Sequence, residues 1–244
     1  MTATIENFTD FHIKLDLGHH KVHFFVFNDE PLDFARAKIA TLRPVLERIP
    51  PDHINGIAPI LLLKERPLGG TGGGTMTSIE NLHARNESVN RQRTELWGAS
   101  FEVIEQVVLR FGRFGGAERG IHFIPLADWR QSGYATTVIH ECAHGIDNRF
   151  SLHRRAAAGD PLRAGANLAL SDFPSHLAHQ ACGHGTDLNR RAVNAYVAMI
   201  TGFRGVTTAQ QRQILTALRR SNAFNGVPTS WWRETFPSFA VPAA

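Results

Sequence analysis

Cysteine is scarce. Cys142 and Cys182 are the only two in 244 residues, which excludes a disulfide-stapled scaffold and fits a reducing compartment or indifference to redox state. Whether the two pair is left open by the sequence. No apolar run approaches the roughly 18 residues that a bilayer span needs, so no membrane span is expected. The segment Met1–Gly18 has no basic stretch followed by an apolar one, so no secretory signal is expected either. An excess of one charge is also lacking: 26 Lys and Arg face 22 Asp and Glu, a net +4. A surplus that small, spread along the chain, does not make a nucleic-acid surface. No G-x-S-x-G elbow is present, which leaves serine-hydrolase chemistry without support. The glycine-rich stretch Gly69–Gly74 lacks the Lys-Ser/Thr of a phosphate loop, and Thr75 stands where G-x-G-x-x-G requires its last glycine.

What is present is a globular composition, 43% hydrophobic and 20% charged, with enough apolar material for a sizeable core. The first half reads as mixed α/β. Lys21–Phe27 (KVHFFVF) is a buried strand closed by Asn28-Asp29. After Pro31, the residues Leu32, Ala35, Ile39, Leu42, Leu46 and Ile49 recur at three- and four-residue steps, one apolar helix face with Pro44 at a kink. Ile57–Leu63 is a second buried strand, and Gly69–Gly74 is expected to be a flexible loop at the rim of a cleft. A long helix is expected over 88–111, with Trp97, Ile104, Val108 and Phe111 on one side and Gly115-Gly116 ending it. Gly120–Leu126 is a third strand, at an edge or with its end marked by Pro125. Helices are expected over 133–149, 187–201 and 207–220. No repeat and no long linker divides the chain, so residues 1–244 are read as one domain. Its parts are an α/β segment 1–130, a helical segment 131–205 and a C-terminal segment 206–244. In that last segment Trp231, Trp232, Phe236 and Phe239 are expected to pack an arm onto the domain; the functional alternative is shielding the cleft or binding a partner.

Histidine is the abundant exception, 13 in all. Residues 140–144 read His-Glu-Cys-Ala-His, an H-E-x-x-H sequence that chance would supply about 0.03 times in a chain of this composition. On a helix, residues four apart share a face, so His140 and His144 can address one ion with Glu141 beside them. Ala135, Val138, Ile139, Cys142 and Ile146 form a separate apolar face that would hold the helix in a core. Cys142, on that face, is expected to be a small buried hydrophobe. The competing interpretation is a helix with two surface histidines and an acid.

This motif resembles that of the zincin metallopeptidases. Its extension to Asp147, H-E-C-A-H-G-I-D, is similar to the toxin-type zincins that include the lethal-factor-like protease domains. The resemblance is specific over these eight residues and looser over 119–200. It implies an α+β zincin-like fold with a small mixed sheet, an active-site helix and a helical C-terminal part. It also implies one Zn²⁺ per chain held by His140 and His144, with Glu141 as general base in peptide-bond hydrolysis. Zincins place an edge strand before the motif helix, where an extended substrate adds as a further strand, and Gly120–Leu126 stands in that place.

A catalytic zinc needs three protein ligands. The glycine and histidine that continue the metzincin motif are missing after His144, and the only later glutamate is Glu234. By resemblance to toxin-type zincins and to the Gly-Thr-Asp of aspzincins, the third ligand is assigned to Asp187, ahead of a helix striped with Leu188, Ala192, Ala195 and Met199. The aspzincin tyrosine three residues on is replaced by Arg190. Asp187 could instead cap its helix, and His184 between two glycines is the runner-up ligand. Asp147 is a candidate to orient a histidine ring or to pair with Arg149 or Arg154. His184, Arg190 and Tyr196 are candidates to donate to the oxyanion. The substrate class is protein or peptide. The family resemblance adds a bacterial effector or toxin role, either cytoplasmic or exported by a specialised secretion system, with an immunity or secretion partner. A zincin-like binding module without activity and a structural protein with an accidental motif are the rivals.

Overall fold

The structure, a computed structural model, describes residues 10–18, 20–54, 56–65, 74–76, 80, 83–84, 95–96, 99–114, 117–150, 188–203, 206–219 and 221–239. The chain opens with the antiparallel hairpin of β1 (His12–Asp16) and β2 (Lys21–Phe27). Helices α1 (Leu32–Ala40), α2 (Arg43–Leu46) and α3 (Pro51–Ile54) lead to β3 (Ile60–Leu63), and the short β4 (Gly74–Met76) follows. Two-residue strands β5 (Glu95–Leu96) and β6 (Ala99–Ser100) precede α4 (Phe101–Phe111); β7 (Arg113–Phe114) and β8 (Ala117–Glu118) follow it. Then come β9 (Ile121–Pro125), α5 (Leu126–Trp129) and the long α6 (Tyr134–Phe150). The C-terminal part holds α7 (Leu188–Thr201), α8 (Thr208–Arg219), a 3-10 turn at Asn222–Phe224, and α9 (Thr229–Thr235).

Five strands make one mixed sheet in the order β1-β2-β3-β9-β4. The central pairs β2–β3 and β3–β9 are parallel, while β1 and β4 run antiparallel at the two ends. Period-2 alternation divides the side chains between the faces. Phe24, Val26, Ile60, Leu62 and Ile124 join one core with α1, α2 and α6–α9. Phe25, Leu61, Leu63, Ile121 and Phe123 join the other with Val103, Ile104, Val107 and Val108 of α4. A sheet with helices on both faces must bury both sets of side chains, which is why β3 reads as the unbroken apolar run ILLL. The first of these cores extends from Ile13 to Phe236, so residues of all three expected segments share it. Among the described residues, no helix is long and apolar enough to cross a membrane.

The apolar stripe after Pro31 is buried as expected at Ala35, Ile39, Leu42, Leu46 and Ile49. Pro44 acts by ending one helix and beginning the next: α1 stops at Ala40, and the proline sits in the first turn of α2, where its missing N–H costs nothing. Four expectations are corrected. Of the helix expected over 88–111, residues 88–94 and 97–98, with Trp97, lie outside the described residues; Ala99–Ser100 pair with Glu95–Leu96 as a hairpin, and the helix α4 runs from Phe101 to Phe111 with Gly112 as its cap. The strand β1 was not foreseen; its Ile13 and Leu15 are buried on one side while Lys14 and Asp16 face solvent. Gly74 is not loop but the first residue of β4, paired with Phe123. The strand β9 is not an edge, since β4 lies outside it; the other alternative holds, because the strand ends at Pro125.

Gly74 explains that last arrangement. A Cβ built on it would lie 2.1 Å from the Phe123 ring, so only glycine lets the edge strand close over this aromatic. The tail is helical, with Trp231, Trp232 and Phe236 buried among Phe203 and Phe224.

Candidate metal centre

The motif lies mid-way along α6, which packs against β9 and β4 on one side and α7 on the other. Its start is tied down by Trp129, which is fully buried and donates its indole N–H to Glu30 Oε2 at 2.7 Å. Lys38 of α1 donates to the Trp129 carbonyl and places its ammonium over the rings of Trp129 and Tyr134, 4.7 and 4.3 Å from their centroids. Val138, Ile139, Cys142 and Ile146 are wholly buried, as the apolar face predicted, while Ala135 is half-buried; Ala143, outside that expected face, is wholly buried as well. The motif side is covered as well: His140, Glu141 and Asp147 are each buried, and His144 is half-buried. The reading of two surface histidines beside a surface acid therefore does not describe this helix.

His140 and His144 turn toward each other, their Nε2 atoms 3.1 Å apart and their ring planes at 88°. Two Zn–N bonds of about 2.0–2.1 Å at a tetrahedral angle span about 3.3 Å, so this pair fits two corners of a zinc site. A second histidine pair provides a contrast. His12 and His23 approach to 2.9 Å, but their rings are stacked at 20° and Lys14 stands against both, an environment that opposes a cation. The neutral thiol of Cys142, pushed up in pKa by burial and then by Glu141, belongs to the packing side.

Glu141 is 4% exposed. Burial pushes its carboxyl up to about 8; the Thr75 hydrogen bond opposes that rise, and Asp128 adds to it. A divalent cation at the two histidines would favour the carboxylate again. Thr75 of β4 donates to Glu141 Oε2 at 3.0 Å and lies 3.1 Å from the Glu141 carbonyl. Beside it in register is His122 of β9, fully buried, with Nδ1 at 2.9 Å from Thr75 Oγ1 and Nε2 accepting from the Ala58 amide at 3.1 Å. Burial, followed by the positive fields of His144 and Arg119, lowers His122 to about 3, so the ring is neutral. Gly145 lets α6 lie this close to the sheet: a Cβ there would meet His122 Cε1 at 2.7 Å and the Gly56 carbonyl at 2.9 Å.

The sequence-derived candidates divide clearly. His140, Glu141 and His144 come together. Asp147 is buried one turn further along α6, 5% exposed. Tyr196 is buried in α7 and donates its hydroxyl to His53 Nδ1 at 3.0 Å, so the structure brings it to His53. Asp187, His184, Cys182 and Arg154 lie outside the described residues, as does the side chain of Arg190. Among the described residues, no group of three His, Cys, Asp or Glu is gathered that could hold a metal ion. Sequence reading missed Thr75, His122 and Asp128. The signal for His122 was a polar residue inside the apolar strand IHFIP, at the period-2 position shared with Ile124 that faces α6. Thr75 carries no such signal, because a threonine directly after a glycine-rich stretch reads as loop. No characterised family, curated protein or solved structure matches the chain.

Proposed function

We propose that this protein is a zinc-dependent metallopeptidase of zincin-like architecture that hydrolyses peptide bonds in protein substrates. The observation that carries the reading is the convergence of His140 and His144 Nε2 atoms at 3.1 Å, with the buried carboxyl of Glu141 next to them on the same helix. His140 and His144 would hold the ion, and Asp187, with His184 as the rival, would supply the third ligand. An ion held there would supply Lewis-acid chemistry, polarising a substrate carbonyl and lowering the pKa of a bound water toward about 7. Glu141 takes the proton of the attacking water as the oxygen bonds to the carbonyl carbon, and delivers it to the amine nitrogen as the C–N bond breaks. The products are one carboxylate and one amine. Thr75 already occupies Oε2, which leaves Oε1 to accept that proton. Extended substrate would add to the sheet at β4, the antiparallel strand beside the motif helix, and not at β9 as the sequence suggested. An effector or toxin role follows from the resemblance of the motif alone.

The test is Glu141→Gln. Shape and zinc content should persist, while cleavage of an unfolded protein substrate falls by about 10²–10⁴-fold. Equal cleavage by this variant, or loss of its zinc, would contradict the role given to Glu141.

A further inference from the structure

We propose that Thr75 and His122 are positioning residues for Glu141, forming a one-way hydrogen-bond chain that locks the carboxylate to the edge of the sheet. The inference rests on the reading of Glu141 as the general base. Its geometry is independent of any metal.

The direction of the chain follows from elementary donor rules. The Ala58 amide can only donate, so Nε2 of His122 accepts. A neutral imidazole has one proton, which must then sit on Nδ1 and be given to Thr75 Oγ1. With its oxygen accepting that bond, Thr75 has its own proton for Glu141, whose Oε2 lies at 3.0 Å. Each member fixes the next. The ring is clamped between β3, β4 and α6, because it pairs in register with Ile60 and Thr75 and lies under Gly145. The chain ends on Glu141, where the Thr75 hydroxyl is shared between Oε2 at 3.0 Å and the backbone carbonyl at 3.1 Å. Of the two carboxylate oxygens it engages Oε2, so it selects the rotamer of Glu141 and the oxygen presented to substrate. It also ties β4 to α6, which links the strand where substrate would add to the group that would move the proton.

The experiment compares Thr75→Val, which keeps shape and loses the hydroxyl, with Thr75→Ser, which keeps the hydroxyl. Steady-state cleavage of an unfolded protein, zinc content and ¹⁵N imidazole spectra are read on each full-length protein. Thr75→Val should lower kcat by about 10–100-fold with KM within about twofold and zinc unchanged, and Thr75→Ser should recover most of it. Unchanged kcat in Thr75→Val, or Thr75→Ser as poor as Thr75→Val, would overturn the positioning role. The spectra decide the chain itself apart from hydrolysis. The two zinc-binding rings would also be Nδ1-protonated, since their Nε2 atoms face the ion. The His122 resonances, identified by their loss in His122→Asn, should show a neutral, Nδ1-protonated ring that does not titrate between pH 5 and 8, with its shift altered by Thr75→Val and kept by Thr75→Ser. The Nε2-protonated form at His122 would overturn the chain. If the wild type cleaves nothing, or Glu141→Gln cleaves equally well, the metallopeptidase reading falls on its own while the spectra still judge the hydrogen bonds.

Discussion

Adding one methyl group at Gly145 tests how the motif helix is seated. A Cβ at this position would stand 2.7 Å from His122 Cε1, 2.9 Å from the Gly56 carbonyl and 3.1 Å from His122 Nε2. Neither neighbour yields easily: the ring is held by Ala58 and Thr75, and the other atom is backbone. Overpacking of this kind costs about 1–3 kcal/mol. Displacing the ring would weaken two buried hydrogen bonds, about 1 kcal/mol each. Against that, alanine is about 1 kcal/mol better than glycine inside a helix. The balance for Gly145→Ala is a loss of about 2–4 kcal/mol, and at about 2–4 °C per kcal/mol for a chain of this size the melting temperature should fall by about 4–16 °C. Thermal unfolding followed by circular dichroism measures it. A variant as stable as the wild type, or more stable, would mean that α6 does not lie on His122 as described.

Two further outcomes are expected. His53 is buried and neutral, with Nε2–H given to the Ala223 carbonyl and Nδ1 accepting from Tyr196; burial lowers it to about 4, against smaller opposing effects of the Ala223 bond and Asp52. Because the folded value lies below the unfolded 6.5, its contribution is whole above about pH 6.5 and is lost as pH falls toward 4. The loss should be about 3 kcal/mol in urea unfolding, and an equal pH slope in His53→Asn would refute it. For the third ligand, Asp187→Asn should keep helix capping and stability but lose zinc, since Asn caps as well as Asp and binds zinc poorly. Metal retained there and lost in His184→Ala would assign the site to three histidines.

Much of this architecture was legible from local pattern. The strands β2, β3 and β9 announce themselves as apolar runs because helices cover the sheet, and α6 does so because its packing residues repeat at helical spacing. What escaped was structure made by tertiary pairing. Gly74-Thr75-Met76 is three residues at the end of a glycine-rich stretch, too short to read as a strand, and it is extended because it pairs with Ile121–Phe123. In HIKLD only Ile13 and Leu15 are apolar, enough to bury one side of an outer strand but too few to stand out. The converging histidines and the carboxyl beside them were visible in five consecutive residues. Their supporting groups were not, because Thr75 and His122 are 47 residues apart and meet only through strand register.

The most direct test of the account is elemental analysis of full-length protein equilibrated with zinc and freed of excess metal, beside the His140→Ala and His144→Ala variants. A separation of 3.1 Å between the two Nε2 atoms serves either a shared cation or a hydrogen bond between neutral rings, and only the metal content tells them apart. About one zinc per wild-type chain, lost in both variants, is the result the account predicts. No zinc in the wild type, or a full equivalent kept by both variants, would contradict it.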